Sequence, residues 1–414
     1  MHRTLITLRP VQLIGFCFAI SFFELLTYMA SDMVMPAMLK VTEDLHADAR
    51  HVPHAFNLYL LGGICLQWLI GPLSDRFGRR RPLLMGCALF ALACAATFIA
   101  TSIEAFNLLR LLQGMGLGFV VAVSYPALQE VFCEADAVRL MALLGNVALL
   151  SPLLGPLLGS VLLQWLSWRE LFLGLSLAAA ATWLGLFACM PETINVQRRD
   201  GQRQEPIPFN LQRVAQRYLA LLRNRRFLAA SLALGLMSLP LIAWIGLSPL
   251  LLMHNLGLPA VDYGLWQIPV FLAVIAGNLI LDRLLPTQSL TDLIRLALWP
   301  FCLGLLFLIA ASLTNAQLPF IVAALSVYAL GLGMSNAALY RLALFSSDDS
   351  KGLVSAMVGM LSIAVMGAGG SLIAGIGGGA SLQTFALHAA LGGLLCLPFL
   401  RGFLRAPSTP SIKE

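Results

Sequence analysis

The sequence predicts an all-α polytopic membrane protein of twelve transmembrane helices in two six-helix halves, and three observations predict it. Of its 414 residues, 59% are hydrophobic and only 11% are charged, against roughly 25% charged in an ordinary soluble domain. That leaves too little polar surface to coat a water-soluble particle. The apolar residues come in blocks of about 20, the length at which a helix crosses about 30 Å of hydrocarbon. The basic residues, finally, fall almost wholly on one side of the resulting spans.

The elements follow in order. The N-terminus is short and basic, with His2, Arg3 and Arg9, and runs into an apolar stretch without a small-residue cleavage site. It reads as the first span rather than a removable signal peptide. Candidate spans cover 12–36, 53–72, 82–101, 104–131, 138–165 and 169–190. After a polar stretch, six more cover 227–252, 261–285, 292–313, 317–345, 352–376 and 382–403. The stretch between carries Arg198, Arg199, Arg203, Arg213, Arg217, Arg223, Arg225 and Arg226, with a surface helix expected around Leu211–Arg223. The expected domains are an N-terminal half, 1–192, a cytoplasmic linker, 193–226, and a C-terminal half, 227–414.

With both termini cytoplasmic, all of the 26 lysines and arginines except Lys40, Arg50, Arg110 and Arg169 lie at the cytoplasmic face. This is the positive-inside pattern, and the expected location is the bacterial inner (plasma) membrane. The net charge of +6 is then a topology signal and implies no nucleic acid. The arginine-rich linker is either solvated charge or a contact for anionic lipid headgroups. The eight cysteines form no CxxC pair, which argues against a metal site and a disulfide framework. His46, His51 and His54 fall in or beside the first outer loop, and the other three histidines are scattered. No cofactor is expected.

The most specific local pattern follows the second span: Gly71-Pro72-Leu73-Ser74-Asp75-Arg76-Phe77-Gly78-Arg79-Arg80-Arg81. Gly71 is expected to let a neighbouring helix approach closely. Asp75 can cap the next helix or pair with an arginine from another span. The cluster reads as a conformational latch, with topology-setting charge as the plainer alternative. A fainter copy, Asn278 to Asp282-Arg283, follows the eighth span and indicates a six-span repeat.

Arg110 lies inside the fourth span, where an unpaired arginine costs at least about 2.5 kcal/mol. It needs a partner, and Gln113 is one turn away on the same face. The first span presents Glu24 and Asp32, eight residues and so about 12 Å apart along a helix, with Tyr28 between them. Carboxyls held in a low-dielectric pocket suit proton exchange and can attract cations. Asp32 near a hydrated interface and a purely structural Arg110 are the alternatives. In the fifth span Pro152 and Pro156 remove backbone donors, and Gly155 and Gly159 leave grooves. In the second half Asn278 and Arg341 either pair or leave Arg341 snorkelling to water. Trp244 and Gln267 are candidate pocket residues, with interfacial anchoring the alternative for the tryptophan. Met29, Met33, Met35 and Met38 flank the acidic stripe.

These residues carry a resemblance. The Gly71–Arg81 loop is similar to motif A of the major facilitator superfamily, Arg110-Leu111-Leu112-Gln113-Gly114 to its motif B, and Ser151-Pro152-Leu153-Leu154-Gly155-Pro156-Leu157-Leu158-Gly159 to the antiporter motif C. The run from Glu24 to Pro36 resembles the first span of the MdfA-type multidrug (chloramphenicol) facilitators. So do Leu60–Arg81, Met141–Gly159, Met190-Pro191-Glu192-Thr193 and Leu339–Ser355 with Ser350-Lys351-Gly352. The resemblance implies proton-coupling and substrate roles for Glu24 and Asp32 and a coupling role for Arg110. Ser31 stands where the family pattern places Asn, which alters the polarity of the pocket there.

The function expected is a proton-driven antiporter that exports chemically diverse lipophilic drugs, neutral and cationic, by alternating access. Its partners are drugs, protons and membrane lipids, and it acts as a monomer. The alternative is a selective transporter of a sugar, amino acid or siderophore on the same fold. An enzyme is disfavoured, since HExxH, GxSxG and nucleotide-loop motifs are absent from the sequence.

Overall fold

Backbone polar groups inside a bilayer must bond within their own segment, which leaves helices as the solution for a chain this apolar. The computed structural model describes residues 4–199, 201, 203, 205–206, 210–347 and 351–405. Ser350, the first three residues and positions 200, 202, 204 and 207–209 of the expected linker lie outside the described residues. So do the side chains of 141–143 and 145–149.

Among the described residues, eleven helices are long and apolar enough to cross a membrane. In the first half these are Pro10–Asp44, Val52–Phe77, Arg80–Phe98, Ile103–Val131 and Trp168–Cys189. In the second they are Arg225–Asn255, Ala260–Leu284, Leu290–Leu313, Leu318–Leu344, Leu353–Gly378 and Leu382–Leu404. The fifth span is the helix Glu134–Leu162, within which Leu150–Leu162 is an apolar stretch. Helix starts follow local chemistry. Ser167 and Glu170 form a reciprocal cap on the sixth span, and the Ser102 side chain caps the fourth. A linker helix, Leu211–Arg223, forms where the sequence places it.

Two compact units emerge. One comprises Met1–Leu211 with Ser248–Gln267, the other Gln212–Leu247 with Ile268–Glu414. In the first, the first span packs on the fifth and sixth, the second on the fourth, and the third on the fourth and sixth. The segment Ser248–Gln267 belongs to this unit by direct contact. Ser160 Oγ donates to the Ala260 carbonyl at 2.6 Å, and Gly264 lies against Leu157. In the second unit the ninth span packs on the tenth and twelfth. Both units leave apolar side chains exposed, among them Val11, Leu92, Trp299 and Leu313, as a lipid-facing surface requires.

The fourth span is not a uniform α-helix. It runs as Ile103–Phe119, passes through a π-helical segment, Val120–Ser124, and resumes as Tyr125–Val131. Such widened turns are rare and concentrate at functional positions.

Candidate functional site

Most of the polar residues singled out in the sequence gather in the first unit in two places. The first is the acidic stripe. Glu24 is completely buried, and its Oε1 accepts a hydrogen bond from the Tyr125 hydroxyl at 2.7 Å. Its Oε2 is buried and has no hydrogen-bond partner among the described residues. Two turns on, Asp32 is also buried, with Oδ2 accepting from Ser151 Oγ at 2.8 Å. The hydrated-interface reading of Asp32 is therefore not what the structure shows. Tyr28 lies between the two acids, half-buried. Ser31 is buried next to Asp32.

The fifth span meets this stripe through its two motif glycines. A Cβ on Gly155 would lie 2.7 Å from Asp32 Cβ, and one on Gly159 would lie 1.9 Å from the Met33 carbonyl oxygen. Pro152 and Pro156 sit within the same helix. Helices touch here backbone to backbone, which small residues alone permit.

Arg110 is 1% exposed. Its Nη1 donates to the Ala30 carbonyl at 3.0 Å and to Gln113 Oε1 at 2.7 Å. The guanidinium lies 4.6 Å from the centre of the Tyr59 ring, a cation–π contact strengthened by desolvation. Gln113 in turn donates to Thr97 Oγ1 at 2.7 Å, and the Tyr59 hydroxyl donates to the Thr27 carbonyl. Among the described residues no carboxylate lies within ion-pairing distance of Arg110. Its charge is held by a carbonyl, an amide and a ring, and it acts on Asp32 only through space. The expected Gln113 partner is present. A direct carboxylate partner is not.

The second place is the loop between the second and third spans. Arg79, 5% exposed, pairs with Asp75 at 2.6 Å and with Glu130 of the fourth span at 2.8 Å. Its Nε also donates to Glu130 Oε2 at 3.2 Å, so the Glu130 contact is bidentate. Ser74 Oγ takes a further bond from Arg79. Thr193 donates to Glu130 from the end of the sixth span. Glu192 caps the loop: its Oε1 accepts from the backbone N–H of Arg79 at 2.8 Å and of Thr193 at 2.8 Å. Gly78 has φ of 94°, and a Cβ there would collide with Glu192 Oε2 at 2.2 Å. Glycine is required on both counts. Arg76 is exposed and lies over Phe77, while Arg80 stacks on Phe187 and donates to its carbonyl.

Several expectations are corrected. Nothing lies within 4 Å of a Cβ built on Gly71. The close approach in the second span falls instead at Gly62, whose Cβ would meet the Leu111 carbonyl at 2.0 Å. Asn278 and Arg341 form no bond with each other among the described residues. Arg341 is exposed and lies 5.8 Å from the Phe345 ring on its own helix. Trp244 is fully buried against Phe385, which removes the interfacial-anchor reading. Gln267 donates to Ser248 Oγ at 3.2 Å within the first unit, whereas Trp244 belongs to the second.

Sequence reasoning missed Tyr125, Tyr59, Thr97 and Glu130, and it quoted Ser151, Glu192 and Thr193 without giving them roles. Glu130 had a signal, being a carboxylate at the end of an apolar span. Tyr125 and Tyr59 had none, because aromatic residues within apolar spans are ordinary packing.

The Major Facilitator Superfamily model matches residues 20–371. The chain is 42% identical over 397 residues to the multidrug transporter MdfA of Escherichia coli O6:H1, covering 95% of this chain and 94% of the relative. It is 43% identical over 359 residues to MdfA of Shigella boydii, covering 86% of each. Among solved structures, a D-xylose-proton symporter superposes with a TM-score of 0.73 at 14% identity, over 94% of this chain and 97% of that one. The human organic anion transporter MFSD10 superposes at 0.66 and 18% identity, over 95% of this chain and 100% of that one. At such identities the last two speak for the fold.

Proposed function

Because this chain belongs to the Major Facilitator Superfamily, we propose that it exports chemically diverse lipophilic drugs, neutral and cationic, in exchange for protons. It is a multi-pass membrane protein. The reading extends to the inner membrane, both termini in the cytoplasm, two six-helix halves joined by the linker, and a monomer that performs no covalent chemistry. The 42% identity to a multidrug transporter supports the substrate class.

One observation carries the coupling: two buried carboxyls on one helix, neither of them in an ion pair among the described residues. An isolated carboxylate in a low-dielectric interior is costly and is relieved by taking up a proton. Glu24, with one oxygen bonded by Tyr125 and the other without a partner among the described residues, and Asp32, bonded by the Ser151 hydroxyl, are groups able to hold and release one. Arg110 keeps a fixed positive charge near Asp32 without neutralising it directly, so the acid remains available to exchange. A proton moving inward down the membrane potential supplies about 2.3 kcal/mol per 100 mV, besides the pH gradient. The Asp75–Arg79–Glu130 cluster supports a latch that holds one conformation and opens in the other.

The test is proton release from purified protein on addition of chloramphenicol or a lipophilic cation. Release is expected in the native chain and should be lost in Glu24→Gln. Native-like release from that variant would remove Glu24 from the coupling, and no release with any drug would reject exchange itself.

A further inference from the structure

We propose that Ser151 is a two-way hydrogen-bond relay. Its hydroxyl donates to Asp32 when that carboxyl is charged and accepts from it when it is protonated, its own hydrogen then turning to the sulfur of Met29. The inference rests on Asp32 exchanging a proton, as proposed above.

The geometry is specific. Ser151 is 1% exposed, its Oγ lies 2.8 Å from Asp32 Oδ2, and the same oxygen lies 3.6 Å from Met29 Sδ. A serine hydroxyl carries one hydrogen and two acceptor lone pairs. When Asp32 is ionised it is an acceptor only, and the serine hydrogen points to it. When Asp32 gains a proton, the new O–H needs an acceptor, since an unmet polar group in a bilayer costs several kcal/mol. Ser151 Oγ is already in place to accept it. The displaced serine hydrogen then has the thioether, a weak acceptor. Every hydrogen keeps a partner in both states, and the only atoms that move are hydrogens and the incoming proton.

The relay matters because of where it sits. Ser31 sits beside Asp32 on the same helix, and the Arg110 charge acts on Asp32 through space. Of these partners Ser151 alone is on the fifth span. One and two turns further along that helix, Gly155 and Gly159 bring its backbone against Asp32 and Met33. The bond to an ionised carboxylate is roughly twice as strong as a neutral one. Protonation therefore weakens the tie between the first and fifth spans at their tightest contact. Proton uptake is thereby converted into freedom for two helices to separate, which an exchanger needs once per cycle.

The experiment uses the full chain in proteoliposomes with chloramphenicol and tetraphenylphosphonium as probes. Ser151→Ala should lower the export kcat at least about tenfold, the equivalent of about 1.4 kcal/mol, with KM nearly unchanged, and Ser151→Thr should restore it. Infrared difference spectra should show an Asp32 carboxyl band, assigned by its loss in Asp32→Asn. That band should move to higher wavenumber in Ser151→Ala and stay in place in Ser151→Thr. Met29→Leu keeps the serine and is the second variant: its Asp32 band should also be displaced, and its kcat lowered. Native kcat with an unmoved Asp32 band in Ser151→Ala, or an unmoved band in Met29→Leu, overturns the relay. Absence of any Asp32 band in the native protein overturns Asp32 as proton carrier, a separate failure.

Discussion

Adding one methyl group at Gly159 should stop export, while the same addition at Gly71 should leave the fold untouched. Alanine is intrinsically favoured over glycine in a helix by about 0.5–1 kcal/mol, so without tertiary contact both changes would stabilise. At Gly71 nothing lies within 4 Å of the new atom, and the intrinsic gain stands. At Gly159 the new Cβ would sit 1.9 Å from the Met33 carbonyl oxygen and 3.1 Å from Pro36 Cγ. Normal contact requires the first and fifth spans to part by more than an ångström. Overpacking of this kind costs about 1–3 kcal/mol, which exceeds the intrinsic gain. The parting also stretches the 2.8 Å Ser151–Asp32 bond. Melting of the purified protein, followed by intrinsic fluorescence, and drug export from vesicles are the assays. Gly159→Ala should melt several degrees lower and lose export, and Gly71→Ala should melt at or above the native temperature. Equal melting temperatures for the two variants would refute the helix contact drawn here.

Other variants probe the remaining clusters. Arg110→Ala removes two charge-assisted bonds, each worth about 1.5–3 kcal/mol, and the stack on Tyr59. Export should cease and thermal stability fall, with Arg110→Lys intermediate in stability; native export by Arg110→Ala would make the residue dispensable. Glu130→Gln breaks the bidentate bond to buried Arg79. Loss of one partner from a buried pair costs about 3–5 kcal/mol, and because Asp75 remains we expect the low end. Double electron–electron resonance between labelled loops should then show the conformational populations shifted, and unchanged distance distributions would reject the latch. Gly78→Ala meets both a left-handed backbone and the Glu192 carboxylate, so it should melt below native, whereas the paired variant Gly78→Ala with Glu192→Ala should recover part of the loss. No recovery would assign the whole defect to backbone strain.

The fold was legible because a bilayer imposes one solution. Helix length, apolar blocks and the side on which arginines fall are all linear properties of the chain. Glu24, Asp32, Arg110 and Gln113 were legible for a related reason: a charged residue in an apolar span must be explained, and the sequence offers few candidates. What holds those charges was not legible. Tyr125 and Tyr59 look like packing until the spans are assembled, and Ser151 is one small residue in a motif whose glycines and prolines draw more notice. The error at Gly71 has the same root. Its sequence context says that small residues permit close approach, but which neighbour approaches depends on crossing geometry, and the structure puts that crossing at Gly62. Asn278 and Arg341 were matched by estimated depth, a coordinate that carries no information about which way each helix is rotated.

The fourth span ties these results together. It carries Arg110, Gln113, Tyr125 and Glu130 in that order, so one helix presents the buried cation, the donor to Glu24 and the partner of Arg79. A rigid α-helix would transmit any displacement at Glu130 unchanged to Arg110. The π-helical segment Val120–Ser124 falls between the two. Its wider turn has a different hydrogen-bond register, and shifting that register rotates the residues beyond it relative to those before. Arg110 is fixed before the segment by Ala30, Gln113 and Tyr59, whereas Tyr125 and Glu130 lie after it. On the proposed latch, opening of the Arg79–Glu130 contact turns Tyr125 away from Glu24 while the Arg110 contacts stay in place. The acidic stripe and the loop cluster are thus joined by a single helix, and its departure from α geometry lies between Arg110 and Glu130.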